Sequence, residues 1–162
     1  MRRKDREVTD LKTIAEIIDS CDIIRLGFAD GDFPYIVPLN FGYKITGDQV
    51  EFYVHGAKAG RKYELIQKNG KCSFEMDNPL KFEYMYDKKD VTMRFKSVMG
   101  TAKIELLEGE EKQKAIDDVI MARYEGTRNF EYNKNVVPAT AIAKLTVIDI
   151  VGKINPIGGG AD

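Results

Sequence analysis

A chain of 162 residues and 18.3 kDa is long enough to bury most of its apolar surface in one core without disulfide or metal staples. Its 25 basic residues nearly balance 26 acidic ones, and the resulting charge of −1 argues against a generic binder of nucleic acid or of anionic membrane. Two distant cysteines, Cys21 and Cys72, and a single histidine, His55, cannot complete a usual zinc set, so no metal site is expected and both cysteines are read as reduced, buried small hydrophobes.

The opening "MRRKDREVTD" is a charged arm over residues 1–10 with no apolar segment behind it, and no run of about 18 apolar residues occurs anywhere. A cytoplasmic protein is expected. Thr9 or Asp10 can cap a helix whose apolar positions Leu11, Ile14, Ile17, Ile18 and Cys21 follow helical spacing. "DIIRLGFADGDFPYIVPLNFGYK" reads as two strands about Asp30-Gly31, a dipeptide suited to a tight hairpin. The second strand carries Pro34 and Pro38, which cannot donate to a ladder, so it is expected to be irregular or at an edge, with main-chain groups free for a ligand.

In "QVEFYVHG", Val50, Phe52 and Val54 alternate with Glu51, Tyr53 and His55, which places His55 on the face opposite the apolar one. "GRKYELIQKNG" is a short helix with Leu65 and Ile66 inward and Gly70 just past its end. The strand "KCSFEMD", an exposed turn at "MYDKKDV" and the long strand "VTMRFKSVMGTAKIELLE", with a bulge or bend at Gly100, come next. "GEEKQKAIDDVIMARYEG" is a helix with an apolar stripe at Ala115, Ile116, Val119, Ile120 and Ala122, closed by Gly126. "TAIAKLTVIDIVGKINP" is a final strand, and residues 156–162 are expected to form a flexible tail. With no repeat or long linker, residues 1–162 read as a single domain, mainly β, with six to seven mostly antiparallel strands and about three helices over a closed or nearly closed barrel.

The junction "FYVHGAKAGRKYELI" carries the chemistry. A helix starting near Gly60 aims unpaired N–H groups and the positive end of its dipole at whatever precedes it, and Ala57, Ala59, Gly56 and Gly60 permit close approach of the backbone. Arg61 adds a two-pronged donor and Lys62 a point charge, a combination suited to a phosphate monoester; the alternative is two solvated cations in a first helical turn. Neither a P-loop nor a dinucleotide fingerprint fits this spacing.

Taken together, "MRRKDREVTD", "PYIVPLNFGY", "FYVHGAKAGRKYELI", "CSFEMD" and "MRFKSVMGTAKI" resemble the pyridoxamine-phosphate-oxidase-like FMN-binding split-barrel superfamily, most closely its nitroimidazole-resistance reductase branch. The resemblance implies an FMN-dependent oxidoreductase that reduces a small acceptor with electrons from NAD(P)H, a homodimer with FMN at the subunit interface. It places the phosphate on Arg61 and Lys62, with Tyr53, Val54, His55, Gly56 and Gly60 in the same segment. It lays the ring along Val37, Pro38, Leu39 and Asn40, extended by Phe41, and assigns a polar contact to Ser97. The C-terminal "VGKINPIGGGAD" carries only Lys153, so the basic cluster with which pyridoxamine-phosphate oxidases grip their substrate is missing. His55 matches a histidine beside the flavin cavity, which implies a catalytic role in substrate binding or proton transfer; a purely architectural role and ligation of haem or metal stand as alternatives. The rival overall reading is a flavin- or haem-binding carrier or sensor on the same fold.

Overall fold

The computed structural model describes residues 2–125, 131–133 and 135–155; Gly126 and the 156–162 tail lie outside the described residues. The strands are β1 (Glu7–Val8), β2 (Ile24–Phe28), β3 (Tyr35–Leu39), β4 (Phe41–Thr46), β5 (Gln49–Ala57), β6 (Lys71–Met85), β7 (Asp90–Leu107) and β8 (Thr140–Asn155). They form one antiparallel sheet in the order β3-β2-β6-β7-β8-β5-β4, with the two-residue β1 paired to β8. The ends of that path, β3 and β4, are joined by Asn40 alone, so the sheet must curl until its edges meet. Among the described residues no ladder links those edges, and the result is a barrel split along one seam.

Pro38 dictates how β3 faces that seam. It has no N–H, so its pairing with Arg25 must be of the non-hydrogen-bonded kind, and the bonded pairs are Ile24 with Leu39, Leu26 with Val37 and Phe28 with Tyr35. The main-chain groups of Ile36 and the carbonyl of Pro38 therefore turn to the open edge. The hairpin between β2 and β3 is looser than Asp30-Gly31 alone predicts, since residues 29–34 form the loop. β7 runs unbroken through Gly100, and its register shift falls one step later, between Thr101 and Ala102.

Inside the barrel lie Leu26, Phe28, Phe41, Phe52, Val54, Phe74, Met76 and Val98, all buried. Helix α1 (Leu11–Asp19) adds Ile14, Ile17 and Ile18 to this core; Asp10 is its cap, accepting from the Thr13 N–H at 2.9 Å. Helix α2 (Arg61–Asn69) turns Leu65 and Ile66 inward and ends at Gly70 in the left-handed region, φ 59°. The expected helix after β7 is divided into α3 (Gly109–Ala115), one π turn (Ile116–Ile120) in which the Met121 N–H reaches back to the Ile116 oxygen, and α4 (Met121–Glu125). This layer, with α5 (Val136–Ala139), builds a second, smaller core on the outer wall from Tyr53, Leu107, Ala115, Ile116, Ile120 and Ile142. Among the described residues no helix is long and apolar enough to cross a membrane.

Candidate functional site

The seam widens where β5 outruns β4. The β4–β5 ladder closes at Phe41 with Val54, so His55, Gly56 and Ala57 continue without a partner on that side while pairing with Ile142, Ala141 and Thr140 of β8 on the other. The chain then turns into α2 through Gly60, whose φ of 89° and ψ of 175° only glycine adopts readily. No side chain caps α2, and the space a β-carbon would occupy at Gly60 is open. A helix end of this kind presents its first amides and the positive end of its dipole to an anion.

The two cations beside it behave differently. Lys62 folds over Gly56, where any β-carbon would collide with its ammonium, and donates to the main-chain oxygen of His55 at 3.2 Å. Burial lowers its pKa, so it is a cation held partly out of water. Arg61 is half-exposed and clasped by both oxygens of Asp30, with Nε to Oδ2 at 2.7 Å, and it reaches Glu64 at 3.4 Å. The Asp30 hydrogen bonds raise the guanidinium's pKa, and the same contact lowers that of the Asp30 carboxyl. Asp30, read from sequence only as a turn residue, is thus the carboxylate any anionic ligand of Arg61 must displace or share.

His55 lies half-buried on the outer face of β5. Its Nε2 is 3.2 Å from the hydroxyl of Tyr124 on α4, and the two rings meet edge to face at 6.1 Å. Burial is the main cause that lowers its pKa, with the neighbouring Lys62 charge adding to it. Arg123 fixes α4 in place: its guanidinium stacks 4.5 Å over the Phe41 ring and donates to the oxygens of Ile18 and Cys21, at 3.2 and 2.6 Å, at the end of α1. Asn40, at the seam, donates to the Asp22 oxygen at 3.2 Å and shares a surface hollow with Arg123 and Tyr124.

The profile of the pyridoxamine 5'-phosphate oxidase family matches residues 10–154. The chain belongs to this family. Among solved structures it is similar to a candidate 5-nitroimidazole antibiotic resistance protein from Bacteroides thetaiotaomicron, at 29% identity over 91% of this chain and 86% of that one, TM-score 0.75. It shares its fold with a flavocytochrome from Azotobacter vinelandii (21% identity, 100% and 75% covered, TM-score 0.76). The same holds for an FAD- and haem-binding protein from Mycobacterium smegmatis (14% identity, 97% and 76% covered, TM-score 0.77). No curated protein matches it by sequence.

In this member of the pyridoxamine 5'-phosphate oxidase family, the expected site residues do not all come together. His55, Gly56, Gly60, Arg61 and Lys62 gather at the start of α2, and Pro38 and Asn40 are exposed along the seam with Val37 and Leu39 partly turned inward. Phe41 and Val54 are core residues: both are about 1% exposed, because period-two alternation points them into the barrel, so only their backbone can meet a ligand. Tyr53 is buried in the outer core with its hydroxyl on Glu51 at 2.9 Å. Ser97, also buried, pairs with Asp77 and Lys153, ten residues along β7 from Leu107, which connects through Ile142 to His55. At the strand rise that is a run of about 30 Å. Tyr124, Asp30 and Arg123, which contact His55, Arg61 and Phe41, had no sequence signal beyond their residue types.

Proposed function

We propose that this protein is an FMN-dependent oxidoreductase that passes electrons from NAD(P)H to a small acceptor. The observation that carries the reading is the uncapped start of α2, with Gly60 at positive φ, Arg61 and Lys62 beside it, and the open edge of β3 across the seam. Such an arrangement fits a terminal phosphate with a flat body laid along main-chain groups. FMN, when bound, supplies the two-electron chemistry; the chain's part is to hold the phosphate at α2, orient the ring along Val37 to Asn40 and place His55 where it can hold an acceptor or give it a proton. The long separation of Ser97 from His55 supports a homodimer, in which Ser97 of a second copy completes a site at the interface.

The haem carrier reading draws on two neighbours of this fold. Here it would require His55 to give up Tyr124, and it leaves the α2 terminus without a use.

Purified protein tests the proposal directly. Flavin absorbance bands, FMN-dependent oxidation of NADH or NADPH, and a light-scattering mass near twice 18.3 kDa are expected. A Soret band without flavin, or bound FMN with no turnover of either nicotinamide, overturns it.

A further inference from the structure

Outside the barrel wall, between β5 and β8 on one side and the helical layer on the other, lies a cavity of about 200 Å³. Its walls are Ile116, Ile120, Met121, Val137 and Ile142, and its rim is formed by Tyr124 and Val136, 43% and 52% exposed. The polar side chains on the lining are His55, Tyr124, Tyr132 and Thr140. Tyr132 donates to Asp117 at 2.9 Å and Thr140 to the Val136 oxygen at 2.8 Å, which leaves the His55–Tyr124 pair as the polar end. The π turn supplies Ile116 and Ile120 to this wall; π turns are rare inside helices and cluster at functional sites.

We propose that this cavity binds a small, neutral, planar molecule, with the His55–Tyr124 pair as the polar end that orients it. The volume equals that of only about six or seven waters, so one or two fused rings fill it. The cavity lies between a sheet wall and a helical layer, and a flat molecule can meet both walls at once. Among the described residues no charged side chain lines it, and burial lowers the His55 pKa and raises that of Tyr124, so both groups are uncharged at neutral pH and this lining favours a neutral ligand over an ion. Lying on the His55 side of the seam, it is the pocket in which the acceptor waits; that assignment rests on the oxidoreductase reading, whereas the binding itself does not.

The test uses acetophenone, a neutral ring with one carbonyl acceptor, and benzoate, a ring of similar size with a full charge, titrated calorimetrically into the full chain with and without FMN. Saturable binding of acetophenone is expected, with benzoate at least about tenfold weaker. Methyl NMR shifts should centre on Ile116, Ile120 and Ile142. Val137→Trp, which fills the cavity, should abolish binding; Tyr124→Phe, which leaves the walls intact, should weaken it by about two- to tenfold. Absence of saturable binding, equal affinity for benzoate, or shifts elsewhere overturn the proposal, and Tyr124→Phe with the NMR map decides the matter if Val137→Trp does not fold. FMN uptake is followed in the same samples: acetophenone binding without FMN uptake overturns the oxidoreductase reading and upholds the cavity, and the converse overturns the cavity alone.

Discussion

The ammonium of Lys62 donates to the main-chain oxygen of His55 and lies over Gly56, the one residue of β5 with no side chain to obstruct it. Gly56→Ala should therefore displace the far end of a flexible side chain and leave the barrel intact. A change in unfolding free energy within about 1 kcal/mol is expected, because Gly56 is in a strand and its φ is not positive. FMN affinity, measured by flavin fluorescence quenching, should fall by about three- to tenfold. A loss of folding without a specific loss of affinity would show that Gly56 serves packing alone.

Arg61 and its carboxylate make opposite predictions. Arg61→Ala should weaken FMN by about 10- to 100-fold and leave riboflavin, which lacks the phosphate, unchanged. Asp30→Asn removes the charge that competes for the guanidinium and should tighten FMN at low ionic strength, with the gain fading in salt. Equal losses for both flavins in Arg61→Ala would place the residue in folding.

His55→Asn should retain FMN, since the proposed phosphate grip is on α2, and slow acceptor reduction by about 10²- to 10⁴-fold. Reduction of the flavin by nicotinamide in stopped flow should change little. Parallel loss of FMN and turnover would make the residue architectural.

The depressed His55 pKa also has a signature in stability. Both folded and unfolded chains carry neutral imidazole well above the ordinary value near 6.5, so His55 contributes no pH dependence there. As pH falls below that value the unfolded chain takes up the proton first, and stability is lost until pH drops through the lower folded value. The wild-type melting temperature should thus decline from pH 7 to pH 5 more steeply than that of His55→Gln in scanning fluorimetry.

Gly42 of β4 touches the backbone of the π turn: an added β-carbon would stand 2.6 Å from the Val119 oxygen. Gly42→Ala should cost about 1–3 kcal/mol in denaturant unfolding, since neither main chain can yield cheaply. The Tyr124–His55 contact, followed through the His55 ring NMR signals, should loosen with it.

Local chemistry made much of this architecture readable in the sequence. Pro38 marked an edge strand because a missing N–H has only one comfortable place in a sheet, and the alternation from Val50 to His55 sorted inside from outside. Gly60, Arg61 and Lys62 announced the α2 terminus. What stayed hidden depends on partners distant along the chain: Tyr124 meets His55 across 69 positions, and Asp30 meets Arg61 across 31. Phe41 looked like a pocket residue by adjacency to Asn40, and only the curl of the sheet reveals that its ring belongs to the core. The π turn had no signature either, since its residues follow the same apolar stripe as a regular helix.

The seam at Asn40 has a consequence for hydrogen exchange. Among the described residues, widening it breaks no main-chain hydrogen bond, because no ladder joins the edge of β3 to β4. The amide of Ile36 should therefore exchange its proton at rates typical of an exposed loop, while those of its neighbours Tyr35 and Val37, bonded to β2, are protected. A ring lying along this edge would slow Ile36 and leave Tyr35 and Val37 unchanged, and that amide would then report the occupancy of the seam.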